Sequence, residues 1–291
     1  MTDQSTEVTA RRIARQLNLL DILPIAEAAG RDIMAVFERG FSVTQKSDNT
    51  PVTEADQAAS ERIVAGLEQG WDWPVLTEEA ADINWATRSG WTTYWLVDPL
   101  DGTREFIRRS GDFTVNIALI HDHRPVFGLI HAPTTGQNWW GGIAHDACQQ
   151  EKDAEATGIS VCAFPDQTRD WVELGSRSHR SSAASQLSDL LGEHEIRPRG
   201  SSLKMCHIAA GEGHLYIRMG PTSEWDTAAG QAILEAAGGV LVRLPDLTPL
   251  RYNTKEELEN PWFIAASALD ERWTDPLRTW YARTGSAGDT G

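Results

Sequence analysis

The sequence predicts a mixed fold, α+β in its first half and α/β in its second. Three patterns predict it. Apolar residues recur at helical spacing from about Arg11 to Glu38, with Leu19, Ile22, Ala26, Ile33 and Phe37 on one stripe. Three apolar, β-rich runs follow one another at Phe113–Ile120, Val126–His131 and Gln137–Gly142, as in an antiparallel meander. Beyond Trp171, strand and helix patterns alternate.

Taken in order, Pro24 suits a helix start rather than an interior, because it lacks a backbone donor. Thr53-Glu54-Ala55-Asp56 opens a second helix as a capping box, and Ala59, Ile63 and Leu67 mark its buried stripe. Trp73-Pro74-Val75-Leu76-Thr77 reads as a strand that closes in Glu78-Glu79. The turn His121-Asp122-His123-Arg124 joins the first two meander strands, and Gln149–Thr157 is a polar joint. In the second half, strands are expected at Trp171–Leu174, His214–Ile217 and Val240–Val242. Helices are expected near Ser182–Leu191, Leu203–Ala210 and Thr227–Ala237, the last ended by Gly238-Gly239. The expected organisation is an N-terminal subdomain over residues 1–148, a C-terminal subdomain over 149–283, and a small polar tail over 284–291 expected to be disordered.

Composition sets limits. The 291 residues suit one large α/β unit or two packed subdomains, and 41% hydrophobic content excludes wholesale disorder. With 42 acids against 26 bases, the net charge of −16 disfavours binding to nucleic-acid polymers. The three cysteines, Cys148, Cys162 and Cys206, have no CxxC spacing and suit a reducing cytoplasm. There is no long apolar span, and Met1–Thr9 is polar and not signal-like. The expected location is therefore cytoplasmic, compatible with peripheral attachment at the inner membrane, and the oligomeric state is left unspecified. The 12 tryptophans are scattered and read as packing or strand-edge residues.

The chemistry is concentrated in Trp95-Leu96-Val97-Asp98-Pro99-Leu100-Asp101-Gly102-Thr103, where a strand ends in two carboxylates. Proline removes a ladder donor after Asp98, and Gly102 permits a tight turn into a helix. Asp98 and Asp101 would repel each other unless a cation lay between them. Hard divalent ions take such oxygen ligands, with the Leu100 carbonyl as one more. The Gly102 and Thr103 N–H groups would favour an anion beside the cation. A plain Asp-Pro-x-Asp-Gly turn, in which the side chains bond their own backbone, fits the same residues. Glu78 and Glu79 read equally as ligands or as a solvated acidic loop. Asp56 falls on the buried face of its helix, where a carboxylate is costly unless it is paired or ligating; simple capping is the alternative. Asp226 precedes a helix rich in small residues, either as its N-cap or as a site residue.

Together, Thr53-Glu54-Ala55-Asp56, Glu78-Glu79, Asp98-Pro99-Leu100-Asp101-Gly102-Thr103 and Trp225-Asp226-Thr227-Ala228-Ala229-Gly230 resemble the lithium-sensitive, magnesium-dependent phosphatases of the inositol monophosphatase superfamily. Within it, Arg104-Glu105-Phe106, Phe113–Ile120, Ser176-Arg177-Ser178-His179 and Gly200-Ser201-Ser202-Leu203-Lys204 look most like the bacterial 3'(2'),5'-bisphosphate nucleotidases of sulfur assimilation. Inositol monophosphatases typically carry Asn-Phe after Asp-Gly-Thr. The nucleotidases usually carry Lys-Glu-Phe, so Arg104 departs in residue and keeps the charge. The resemblance implies a layered α-β-α-β-α sandwich with the site between subdomains. It implies that Glu78, Asp98, Asp101, Asp226 and the Leu100 carbonyl hold two or three Mg²⁺ ions. Asp56 and Thr103 would orient and deprotonate the attacking water.

The implied substrate is adenosine 3',5'-bisphosphate, giving AMP and phosphate. Gly102, Thr103 and Asp226 would lie against it, Lys204 and Arg218 would hold its second phosphate, and Ser201 and His179 would sit near the nucleotide. Without the resemblance, Lys204 reads as a solvated helix residue and Arg218 as a surface strand residue. Arg108 and Arg109 read as surface charge, and His121, His123, His145 and His207 as structural or exposed. An inositol-phosphate, histidinol-phosphate or fructose-bisphosphate phosphatase would use the same metal residues. A metal- or nucleotide-sensing module is the non-enzyme alternative, disfavoured because both Asp56 and Thr103 are present.

Overall fold

The structure is a computed structural model that describes residues 4–45, 51–176 and 181–284. The first helical pattern divides into α1 (Gln4–Ala14) and α2 (Leu19–Arg39). Asn18 separates them: its backbone is extended and its side chain accepts from the Leu20 N–H, capping α2. Ile22, Ala26, Ala29, Ile33 and Val36 form the buried stripe of α2. Pro24 lies inside this helix, not at its start. The carbonyl deprived of its donor is that of Leu20, a residue 75% exposed and so open to solvent.

A short antiparallel ribbon of β1 (Val43–Gln45) and β2 (Pro51–Thr53) leads into α3 (Glu54–Gly70). The expected capping box is present: Thr53 Oγ1 accepts from Ala55 N, and the Asp56 carboxylate accepts from Thr53 N at 2.7 Å. Then come β3 (Val75–Thr77), a 3₁₀ turn over Glu78–Ala80, α4 (Trp85–Arg88), β4 (Thr93–Asp101), α5 (Thr103–Ile107), β5 (Thr114–His121), β6 (Arg124–Ala132), β7 (Gln137–Gly142), β8 (His145–Gln150) and β9 (Thr157–Gly158). These strands form one seven-stranded sheet in sequence order, parallel at β3–β4 and antiparallel elsewhere. The stretch read as a polar joint begins inside β8 and ends inside β9, where Gln149 pairs with Thr157, so the boundary expected after residue 148 falls within a strand of this sheet. At the β5–β6 turn Asp122 and His123 both adopt left-handed φ, as mirror-image hairpins require. His123 Nδ1 donates to the Tyr252 carbonyl, and Tyr252 N donates back to the His123 carbonyl.

The second half runs β10 (Val172–Ser176), α6 (Ser182–Leu190), β11 (Glu195–Arg199), α7 (Leu203–Ala209), β12 (Leu215–Arg218), α8 (Glu224–Ala236), β13 (Val240–Arg243), β14 (Phe263–Ala266) and α9 (Glu271–Thr284). Its sheet has the order β11-β10-β12-β14-β13, with β14 antiparallel to both neighbours. Thr284, read as the first tail residue, closes α9.

Side-chain alternation builds the layers. In β4, Trp95 and Val97 face α1, α2 and α3, while Tyr94 and Leu96 face the opposite core with α7 and α8. The far side of that core is the five-stranded sheet, through Tyr216, Leu241, Phe263 and Ala265. Ile217, Val242 and Ile264 point to the outer helices α6 and α9. The order is α-β-α-β-α, as the resemblance implied. Helix α8, between two sheets, is buried at every position from Thr227 to Leu234. Its approach to β6 depends on Gly128, where a Cβ would fall 2.3 Å from the Ala229 carbonyl oxygen. Gly128→Ala is expected to lower unfolding stability by about 3 kcal/mol, because backbone must move to admit it. Gly158→Ala, which meets open space, serves as the control; equal denaturant midpoints for the two variants would overturn the packing argument.

Candidate active site

The end of β4 is irregular where it carries the carboxylates. Pairing with β5 shifts between Asp98 and Asp101, with Pro99 and Leu100 bulged out of register. Leu100 N donates to Asp98 Oδ1 at 3.0 Å, so the turn chemistry is present together with the acidic cluster rather than instead of it. Gly102 adopts φ 92°, and a Cβ there would meet the Asp112 carbonyl oxygen at 3.0 Å. This turn delivers Thr103, whose hydroxyl lies 3.1 Å from Asp56 Oδ1 and 3.3 Å from the Leu100 carbonyl oxygen. The other Asp56 oxygen accepts from both Thr53 N and Thr53 Oγ1, each at 2.7 Å. Asp56 therefore caps α3 and also bonds Thr103.

Asp226 arrives from the far side on the first turn of α8. It is not the N-cap: Ser223 is, and Asp226 occupies the third helical position, accepting from Ser223 N at 2.9 Å. Carboxylate oxygens of Asp98, Asp101 and Asp226 lie within 4.8 Å of one another. Burial pushes all three carboxyls above the ordinary range. For Asp98 the neighbouring Glu78, Asp101 and Asp226 add to the rise. Asp226 is pushed up to about 8 by burial, then by Asp101 and Glu78. Asp56 is raised by burial against the opposing effect of its hydrogen bonds.

A cavity of about 690 Å³ opens over this cluster, lined by Glu78, Asp98, Asp101, Thr103, Arg218 and Asp226 among others. A second recess of about 120 Å³ shares Asp101, Gly102, Arg218 and Asp226 and extends to Ser201, Lys204 and Tyr216. Lys204 is buried, not solvated. Its ammonium donates to the Ser201 carbonyl at 2.6 Å, stands 5.0 Å from the Tyr216 ring centroid, and is pushed down to about 8 by burial. Arg218 donates to the Pro221 carbonyl at 2.6 Å and faces both cavities, so it is a cleft residue rather than a plain surface one. The turn carrying Ser201 is clipped to the cluster, because Ser202 N donates to Asp101 Oδ2 at 2.5 Å.

Of the residues singled out from sequence, Asp56, Glu78, Asp98, Leu100, Asp101, Gly102, Thr103, Ser201, Lys204, Arg218 and Asp226 thus gather around one cleft. His179 lies outside the described residues. Arg109 is exposed but stacks over Phe37, 4.7 Å from the ring centroid. The histidines make structural bonds: His121 with Thr93, His145 with the Ala14 carbonyl, and His207 with Glu212. Tyr216, Thr222 and Glu259 also line the cleft and were not anticipated. Tyr216 sits two residues before Arg218 on β12, so strand alternation places both on one face; that spacing was the available signal.

Three crowded carboxylates with raised pKa values form a hard oxygen donor set short of positive charge, which suits a divalent cation. A profile of the inositol monophosphatase family matches residues 19–276. The chain belongs to that family. It is 41% identical to the 3'(2'),5'-bisphosphate nucleotidase CysQ of Escherichia coli K12, over 83% of this chain and 96% of that protein. It is 38% identical to the nucleotidase of the same name from Aggregatibacter actinomycetemcomitans, over 88% and 94%. The crystal structure of CysQ from Bacteroides thetaiotaomicron superposes with a TM-score of 0.74 at 36% identity, covering 86% of this chain and 96% of that one. Phosphatases of the inositol monophosphatase family are metal-dependent. Among the described residues no helix is long and apolar enough to cross a membrane.

Stripped of metal, this inositol monophosphatase family member is expected to lose stability as pH rises. Unfolded, the cluster ionises near pH 4; folded, Asp226 ionises at about 8, and Asp98 is also raised. Between those values the folded chain holds more protons, so stability falls with increasing pH. EDTA-treated protein should melt lower at about pH 8 than at about pH 5.5, and an added divalent cation should narrow the difference. A metal-free melting temperature that rises across this interval would contradict the reading of the cluster.

Proposed function

We propose that this chain is a Mg²⁺-dependent 3'(2'),5'-bisphosphate nucleotidase that removes the 3'-phosphate of adenosine 3',5'-bisphosphate, yielding AMP and phosphate. The observation that carries this reading is the shared wall of the two cavities: an acidic cluster directly beside a recess holding Lys204 and Arg218. A monophosphate has no second anion for that recess, whereas a bisphosphate, of a nucleoside or of a sugar, does. The names of the relatives point to the same substrate class.

In this proposal Glu78, Asp98, Asp101, Asp226 and the Leu100 carbonyl hold two or three ions. Mg²⁺ held there would supply positive charge against the phosphate oxygens and lower the pKa of water. Asp56 accepts a proton from Thr103 Oγ1, which in turn takes one from the attacking water, so a carboxylate buried beneath the turn acts as the base. The Gly102 and Thr103 backbone faces the phosphate being cleaved. Lys204 and Arg218 hold the distant phosphate, with Ser201 beside them and His179 near the nucleotide. The proposal keeps a cytoplasmic setting and the two-subdomain organisation, with the cleft between them.

The test is Mg²⁺-dependent phosphate release from adenosine 3',5'-bisphosphate, run beside inositol 1-phosphate, fructose 1,6-bisphosphate and histidinol phosphate. The nucleotide is expected to lead in kcat/KM by at least about a hundredfold, roughly 2.7 kcal/mol of discrimination. Preference for another of these would overturn the substrate assignment while leaving the metal chemistry.

A further inference from the structure

Outside the cleft, a buried polar lattice stands behind the first turn of α8. Arg88, at the end of α4, donates through its guanidinium to Asn253 Oδ1 at 2.5 Å and to the carbonyls of Lys255 and Glu256. Asn253 returns its amide to the Arg88 carbonyl at 2.6 Å. The Asn253 backbone N–H points at the Glu224 carboxylate, 2.9 and 2.8 Å from its two oxygens. Glu224 N donates to the Leu258 carbonyl at 2.8 Å, and Asn260 Nδ2 reaches the Ser223 carbonyl at 2.6 Å. Arg88, Glu224, Asn253 and Asn260 are all buried. None of them lines either cavity of the cleft.

Burying a guanidinium and a carboxyl side chain is expensive, and apolar residues would hold a loop against a helix at least as well. What the polar version adds is directional. Glu224 lies two residues before Asp226 in the same helical turn, and one Asp226 oxygen is already committed to Ser223 N. The remaining freedom of the Asp226 carboxylate is the freedom of that turn as a whole. A set of donors gathered within 4.8 Å tolerates little displacement of one member.

We infer that Arg88, Asn253 and Glu224 are positioning residues that fix the first turn of α8 and so set the cation affinity of the cluster containing Asp226. This rests on the metal-holding role proposed for Asp226. The lattice acts through helix placement and touches neither substrate nor ion. Its effect belongs in cation affinity more than in turnover at saturating cation, because the reacting groups themselves are unchanged.

Calorimetric titration of EDTA-treated full-length chain with Mg²⁺ provides the test. Glu224→Ala and Asn253→Gly are each expected to weaken Mg²⁺ binding about 10- to 100-fold. Glycine accepts the left-handed φ of 54° at position 253, so that variant removes the side-chain link without backbone strain. Glu224→Gln retains an acceptor for Asn253 N and should bind close to wild type. In both weakened variants, raising Mg²⁺ should restore most phosphate release. Leu277→Ala, in the core under α9, should lower the melting temperature without changing Mg²⁺ affinity. Folded Glu224→Ala and Asn253→Gly proteins that bind Mg²⁺ as wild type does would overturn the inference alone. So would an equal affinity loss in Leu277→Ala. If Glu224→Ala does not fold, Asn253→Gly decides on the same comparison. Wild-type protein that binds no Mg²⁺ would remove the proposed metal role, and with it this inference.

Discussion

Asp101→Asn is expected to reduce phosphate release about a thousandfold or more, roughly 4 kcal/mol in kcat/KM, while the metal-free protein melts no lower than wild type. The two halves of this expectation have different causes. Asp101 shares the crowded donor set with Asp98 and Asp226, and an amide replaces one anionic oxygen ligand with a neutral group. Yet Asp101 Oδ2 accepts from Ser202 N, a bond that the amide oxygen of asparagine can also accept. Burial already disfavours the charge of Asp101, so losing that charge does not cost the empty fold stability. Thermal melts with and without Mg²⁺ separate the cases, since wild type should gain stability from the ion and the variant much less. A variant that turns over near the wild-type rate would sink the assignment of Asp101 as a ligand.

Lys204→Ala is expected to raise KM for adenosine 3',5'-bisphosphate about fiftyfold, roughly 2.3 kcal/mol, with kcat changed only a few-fold. A small monophosphate should be hydrolysed at an unchanged rate, because it has no group to place beside Lys204. The ammonium sits in the recess that opens off the acidic cluster and is already desolvated, so a bound phosphate meets a cation that water screens weakly. Burial pushes Lys204 down to about 8. Wild-type KM for the bisphosphate should therefore climb above about pH 8 as the cation is lost, and the variant should lack that rise. Equal losses on both substrates would instead indicate a damaged fold.

The parts of the site legible in the sequence are those built by local chain geometry. Asp98, Asp101 and Thr103 fall within six residues, and proline and glycine dictate the turn between them. Thr53 and Asp56 declare a capping box, and the link from Asp56 to Thr103 follows once α3 packs under β4. The meander strands, buried on both faces, read as near-continuous apolar runs whose ends fall within one or two residues of the observed ones. What was not legible depends on distant partners. Strand β14 is a four-residue apolar run whose place between β12 and β13 is set by residues at least 20 positions away, as in the pairing of Leu215 with Ala266. Helix α9 carries Trp273, Leu277 and Trp280 at helical spacing, but Pro276 interrupts the pattern. The burial of Lys204 likewise comes from packing between Tyr216 and the Ser201 turn, contacts that no local spacing announces.

Helix α8, enclosed by two sheets and carrying Asp226 at its leading end, has a consequence for the order of events during folding. Asp98 and Asp101 come from the meander sheet, but the third carboxylate reaches them only when this helix has docked, more than 120 residues later in the chain. A partly folded chain with the first sheet formed and the helix still loose offers a cation an incomplete set of oxygens. An ion held by these three carboxylates would therefore recognise the finished molecule rather than its precursors. Mg²⁺ should slow the unfolding rate much more than it speeds refolding, acting as a latch on the completed structure.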